Sequence, residues 1–183
     1  MKKAVITAVA VTLALCLAVG GTLAYLVATS GPVTNTFTVG DINITLAETT
    51  GANYKIIPGG TEAKDPVVTV EKGSEKCWVY VSVENNLILN ETTVVTPNIQ
   101  TADWNVVVTK GNKVLYRYKE VVDAASANVP LSVFTQVAYA DTILKDNIDA
   151  LSGKTIVLNA FAHQSANIEQ SVADAAAKTQ FGF

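Results

Sequence analysis

Lys76-Cys77-Trp78-Val79-Tyr80-Val81-Ser82-Val83-Glu84 is the stretch on which the fold turns. In an extended chain Cys77, Val79, Val81 and Val83 point one way, and Trp78, Tyr80, Ser82 and Glu84 point the other. The first set is wholly apolar, so it faces a core. Cys77 then reads as a small core hydrophobe and not as a reactive thiol.

The same two-residue period extends outward in both directions. Upstream, residues 66–71 form a strand bounded by Lys72-Gly73-Ser74, and residues 54–57 form a short one stopped by Pro58-Gly59-Gly60. In residues 34–46, Phe37 and Val39 share one parity while Ile42, Ile44 and Leu46 share the other. The switch at Gly40-Asp41 predicts one long strand with a glycine bulge. Downstream, residues 85–103 read as a polar connection. Residues 104–109 and 113–119 then flank Gly111-Asn112, a two-residue hairpin signal. Residues 130–139 and 155–163 read as two further strands. Ile143, Leu144, Ile148 and Leu151 are spaced for a short amphipathic helix over residues 141–151, which Gly153 ends. Asn167, with Gln170 three residues on, predicts the cap of a final helix whose apolar face is Ile168, Val172, Ala175 and Ala176. About eight short strands and two short helices predict an all-β fold, a jelly-roll-like β-sandwich spanning residues 34–183.

The first 24 residues read differently. Met1-Lys2-Lys3 is a positive start, residues 4–19 are apolar apart from Thr7 and Thr12, and Gly20-Gly21 breaks the run. Thr22 and Ala24 then place small residues at −3 and −1 of a cut between Ala24 and Tyr25, the layout of a secretory signal. A retained anchor is the alternative, because no charge falls between Lys3 and Asp41 and a span needs about 20 apolar residues. Cys16 follows Leu15 inside the apolar run, which does not suit lipidation. Residues 25–33 form an uncharged extension ahead of the domain.

Removing the leader leaves 159 residues with 11 basic against 16 acidic side chains, net −5. No basic patch remains for nucleic acid or anionic lipid, and the membrane enters only through the leader. Cys77 is then the single cysteine, so an exported form has no internal disulfide and relies on its core. His163 is the one histidine, which rules out a two-histidine zinc motif. There is no Gly-x-Ser-x-Gly elbow, and Gly59-Gly60 opens no helix and so forms no phosphate loop. Asp141, Asp146 and Asp149 lack calcium-loop spacing. A Cys77–His163 nucleophilic pair is formally available, but both lie within strand patterns. Asn43-Ile44-Thr45 and Asn90-Glu91-Thr92 match the glycosylation sequon. The chain closes on Gln180-Phe181-Gly182-Phe183 with no Leu-Pro-x-Thr-Gly signal, so no covalent wall attachment is expected. The expectation is a non-enzyme without catalytic residue, metal or cofactor.

Three segments together resemble the TasA/camelysin family of exported Gram-positive surface and biofilm-matrix fibre proteins. They are Gly20-Gly21-Thr22-Leu23-Ala24-Tyr25 followed by Asn35-Thr36-Phe37-Thr38-Val39-Gly40; Pro58-Gly59 with Lys64-Asp65-Pro66-Val67-Val68-Thr69-Val70; and the closing strand that runs into an Ala-rich helix. The resemblance implies a jelly-roll-like sandwich, processing by an ER-type signal peptidase, and a homopolymer built by strand donation. It places the donor at Tyr25, Leu26, Val27, Ala28 and the residues to Val33. Camelysin-type relatives are described as metallopeptidases, an activity for which this chain has no recognisable zinc motif. The alternative function is a monomeric exported binding or accessory domain, with Trp78, Tyr80 and Trp104 on a glycan-holding face.

Overall fold

The computed structural model describes residues 40–51 and 55–183. Its strands are β1 (Ile44–Ala47), β2 (Thr61–Ala63), β3 (Val67–Val70), β4 (Cys77–Asn85), β5 (Ile88–Leu89), β6 (Thr92–Thr93), β7 (Val95–Pro97), β8 (Trp104–Lys110), β9 (Lys113–Tyr118), β10 (Val129–Ser132), β11 (Gln136–Tyr139) and β12 (Ile156–Gln164). Among the described residues one α-helix, α1 (Gln170–Phe181), follows β12. The fold is all-β, and every strand pair is antiparallel.

β4 is the centre of a four-stranded sheet ordered β12-β4-β9-β8. On the other side of the core, β1-β3-β10 and β2-β11-β7 run into one another. Lys64 N–H donates to Thr135 O at 2.9 Å and Val133 N–H to Pro66 O at 3.0 Å, so both ladders continue through a shared bend. Val79, Val81, Val68, Val70 and Val133 are completely buried between the two layers. At roughly 1.5–3 kcal/mol for each such side chain, this core is the main source of stability.

The other face of β4 is covered as well. Tyr80 and Leu115 pack with Ala173 and Ala177 of α1 into a second cluster, bordered by Trp78, Phe161, Phe181 and Phe183. β4 therefore reads as buried on nearly every residue. Ala173, Ala177 and Phe181, four residues apart, make the docking stripe, and alanine lets helix and sheet approach closely. An ion pair ties the helix down: Asp174 accepts from Arg117 Nη1 at 2.9 Å and from the Tyr80 hydroxyl at 2.8 Å. With its amide oxygen turned to the guanidinium, Gln170 accepts from the same arginine at 2.9 and 3.0 Å. At the far end Gly182 adopts the left-handed conformation (φ 73°), and Lys110 and Lys113 reach from the β8–β9 hairpin to the carbonyls of Gly182 and Phe181. Two cations at a helix C-terminus also match the negative end of its dipole.

Several local expectations differ from this outcome. Gly40-Asp41 precedes β1 as irregular chain, and residues 34–39 of the expected long strand lie outside the described residues. Residues 55–57 form no strand; they lead into a turn closed by Gly60 N–H to Ile57 O at 2.9 Å, with Pro58 and a positive-φ Gly59 in the middle. The polar connection contains β5, β6 and β7, and it buries Val94 and Val95. Residues 130–139 are two strands, because the chain leaves β3 for β2 at the bend. The first expected helix is a turn followed by a 3-10 helix (Ile148–Leu151). There the Asn147 side chain accepts from Leu144 N–H at 2.8 Å, competing with α-helical bonding, and Leu144 stays 60% exposed. Asn167 does not cap α1. It sits at φ 57°, and Glu169 occupies the cap position without a side-chain bond. Val172, expected on the apolar face, is 53% exposed. The Gly111-Asn112 hairpin is present, with Gly111 alone at positive φ (61°), as a type II′ turn requires.

Candidate strand-docking edge

β12 pairs with β4 along its whole length, and among the described residues no strand pairs with its other side. Its side chains alternate across the sheet. Ile156, Leu158, Ala160 and Ala162 face the main core, while Val157, Asn159, Phe161 and His163 face the side of α1. The inward set is only partly buried. Its partners on β4, by contrast, are sealed: Val83 is 4% exposed, Val81 and Val79 not at all. The core thus opens into an apolar lip along β12. β1 runs close to β12 on this side without pairing to it, and brings Ile42 and Ile44, also partly buried, to the lip.

Sheet edges normally carry devices that prevent another strand from joining. β8, at the opposite edge of the same sheet, has two: a register break between Val106 and Val108, and a terminal Lys110. β12 has neither. Its nine residues, Ile-Val-Leu-Asn-Ala-Phe-Ala-His-Gln, include no charge and no proline, and its register with β4 is unbroken. A long, regular, uncharged edge beside uncovered apolar side chains has the features that accept an added strand.

One end of the edge is acidic. Gly40, Asp41, Ile42, Glu75, Gln164 and Ala166 line an open depression of about 460 Å³. A Cβ on Gly40 would lie 2.5 Å from the Glu75 side chain, so a larger residue there would displace the Glu75 carboxylate. Asp41 accepts from Ile42 N–H at 2.8 Å and from the Asn43 amide at 3.1 Å, which fixes its carboxylate at the rim. Glu75 is exposed beside it.

The candidate residues read from the sequence distribute as follows. Ala24, Tyr25, Leu26, Val27, Ala28 and Val33 lie outside the described residues. Cys77 is fully buried in the main core, where burial pushes its thiol up to about 11. His163 pairs with Trp78 on the opposite face of the sheet, so Cys77 and His163 form no dyad. The three aromatics do not form one face either: Trp78 and Tyr80 share the α1 side of β4, and Trp104 does not. Trp104 is in the main core, donating to Ser132 O at 2.7 Å, whereas Tyr80 is buried under α1. Asp141, Asp146 and Asp149 are exposed around the 3-10 turn. Sequence reasoning missed the β12 edge. The available signal was the absence of charge and proline over nine residues. No family model, curated protein or solved structure matches the chain.

Proposed function

We propose that this chain is an exported structural subunit that assembles into fibres at the cell surface or in the extracellular matrix of a Gram-positive-type bacterium. In this reading an ER-type signal peptidase removes residues 1–24, and the β12 edge of each copy receives residues 25–33 of another. The chain is its own partner, with no catalytic role. The observation that carries the reading is the partly exposed apolar lip along the β12 edge, with which no other strand pairs on that side among the described residues. A strand added there satisfies backbone groups and buries alternate side chains, each contributing roughly 1.5–3 kcal/mol before the cost of ordering the segment. It also extends the sheet to the order added strand-β12-β4-β9-β8 opposite the bent sheet, in keeping with the jelly-roll-like sandwich proposed for the assembled subunit.

The test is assembly of the mature chain. Leu26→Asp with Val27→Asp should abolish large species in sedimentation and electron microscopy while leaving a β-rich circular dichroism spectrum. A chain beginning at Thr34 should behave likewise, and a synthetic peptide of residues 25–33 should raise its melting temperature, as a native-state ligand does. Fibres formed by the truncated chain would reject strand donation.

A further inference from the structure

The proposed occupant of β12 can be given a direction, a register and a source. This step rests on the strand-addition reading above. Residues 25–33 number nine, the length of β12 (Ile156–Gln164). All strand pairs among the described residues are antiparallel, the slightly stronger arrangement per residue. Antiparallel and in full register, Tyr25 meets Gln164 and Val33 meets Ile156. Val27 and Val33 then cover Ala162 and Ile156 on the core side. Ser30 faces Asn159 on the other, and Pro32, which lacks a donor, falls next to the far end.

That arrangement excludes the chain's own extension. Gly40 lines the depression at the Gln164 end, while Val33 would have to lie at the Ile156 end, about 26 Å away along the strand. From residue 33 to residue 40 there are seven residue steps, which span at most about 23–25 Å when fully extended and leave nothing for a reversal. In the antiparallel register, therefore, the occupant is a second copy.

The register also places the donor's first residue at the acidic depression. No Lys, Arg, Asp, Glu or His occurs between Lys3 and Asp41, so the extension carries no charge at neutral pH until cleavage creates an α-ammonium group on Tyr25. We propose that residues 25–33 of a second copy dock antiparallel to β12 with Tyr25 opposite Gln164, setting this new α-ammonium against Asp41 and Glu75, so that leader removal strengthens assembly. An uncleaved chain offers the same strand without the charge, and its leader must pass through the depression.

Two measurements on the full mature chain test this. In mixtures of singly substituted chains under oxidation, Val27→Cys with Ala162→Cys should give a covalent dimer, and Val27→Cys with Leu158→Cys, the parallel alternative, at least tenfold less. Cys77 is buried and does not compete. The reverse preference overturns the register while leaving strand addition standing. Assembly with neither cross-link overturns both, and a chain that never assembles removes the function reading and this inference with it. Asp41→Asn with Glu75→Gln should raise the concentration needed for assembly about fivefold at low salt, the effect of one well-placed surface ion pair. A mature chain retaining Thr22-Leu23-Ala24 should show a similar loss without any change to the domain. An unchanged threshold in both eliminates the α-ammonium contact.

Discussion

Asp174→Ala should be among the most damaging single changes outside the main core. Asp174 and Arg117 have side-chain exposures of 18% and 11%, and the carboxylate is the acceptor for both the guanidinium and the Tyr80 hydroxyl. Burial, together with this acceptor, pushes the Tyr80 phenol well above its ordinary value. Removing the carboxylate leaves a nearly buried cation and a buried hydroxyl without their partner, a loss of about 3–5 kcal/mol for a pair broken from one side. Gln170 still contacts Arg117, which favours the lower end, about 3 kcal/mol. In a domain of this size that lowers the melting temperature by about 10 °C. Urea unfolding should show a lower midpoint at unchanged slope. Amides of α1 should exchange faster while those of β4 stay protected, since only Ala173 and Ala177 of the helix are fully buried. Arg117→Met combined with Asp174→Leu should recover part of the loss, because a matched apolar pair leaves no orphan charge, and the remainder, about 1–3 kcal/mol, is the Tyr80 hydroxyl left without its acceptor. Asp146→Ala, an exposed carboxylate, serves as control and should be neutral within about 0.5 kcal/mol. An Asp174→Ala loss below 1 kcal/mol would refute the reasoning, as would a double variant that costs the sum of the two singles.

Other consequences follow from the same packing. Val81→Asp puts an unpaired charge at a position with no solvent exposure and should cost about 3–5 kcal/mol or prevent folding, read as loss of a cooperative melting transition. Gly182→Ala meets no atom within 4 Å but must hold φ 73°, so it should cost about 1 kcal/mol through backbone strain alone, measured by urea unfolding. Asp65 accepts from the hydroxyls and backbone N–H groups of Thr49 and Thr50, which hold its carboxyl down at about 2. Its contribution is present above the unfolded value near 4 and is lost as pH falls from there to about 2. Asp65→Asn should flatten the stability curve in that window only. Cys77 should resist alkylation at pH 8 in the folded chain and react once urea unfolds it.

Much of the architecture was legible because β4 carries its information in alternation. The parity that put Val79, Val81 and Val83 in a core was sufficient, and the pairing of β8 with β9 followed from Gly111-Asn112. What periodicity left out was the second covered face. Trp78 and Tyr80 on the far side of β4, read from the sequence as part of a glycan-holding face, pack instead beneath α1, whose docking face is an alanine stripe. Ala173 and Ala177 differ little from Ala175 and Ala176 as sequence, so the docking face of α1 could not be phased from composition. Strands of two or three residues, such as β2, β5 and β6, are shorter than any window in which a period can appear. The break between β10 and β11 has no glycine or proline, since it comes from an exchange of pairing partner and not from local conformational preference.

The β12 edge was illegible for a related reason. A period of two tells which side chains travel together, and it is silent on how many neighbours a strand has. Ile156, Leu158, Ala160 and Ala162 would read identically in a central strand, where they would be as closed to solvent as Val79 and Val81. Only the pairing order reveals that, among the described residues, no strand pairs with one side of β12, and only then does its lack of charge, proline and bulge acquire meaning. A central strand needs no such devices, and an edge strand that is meant to remain an edge does. β8 and β12 belong to one sheet, and β8 is guarded while β12 is not. The asymmetry fits a sheet built to end at β8 and to continue past β12. If residues 25–33 of a second copy take that place, Ile156 and Ala162, opposite Val33 and Val27, should lose their remaining exposure in the assembled form. Hydrogen exchange should then protect β12 amides in fibres that exchange freely in the monomer, while β8 amides stay unchanged.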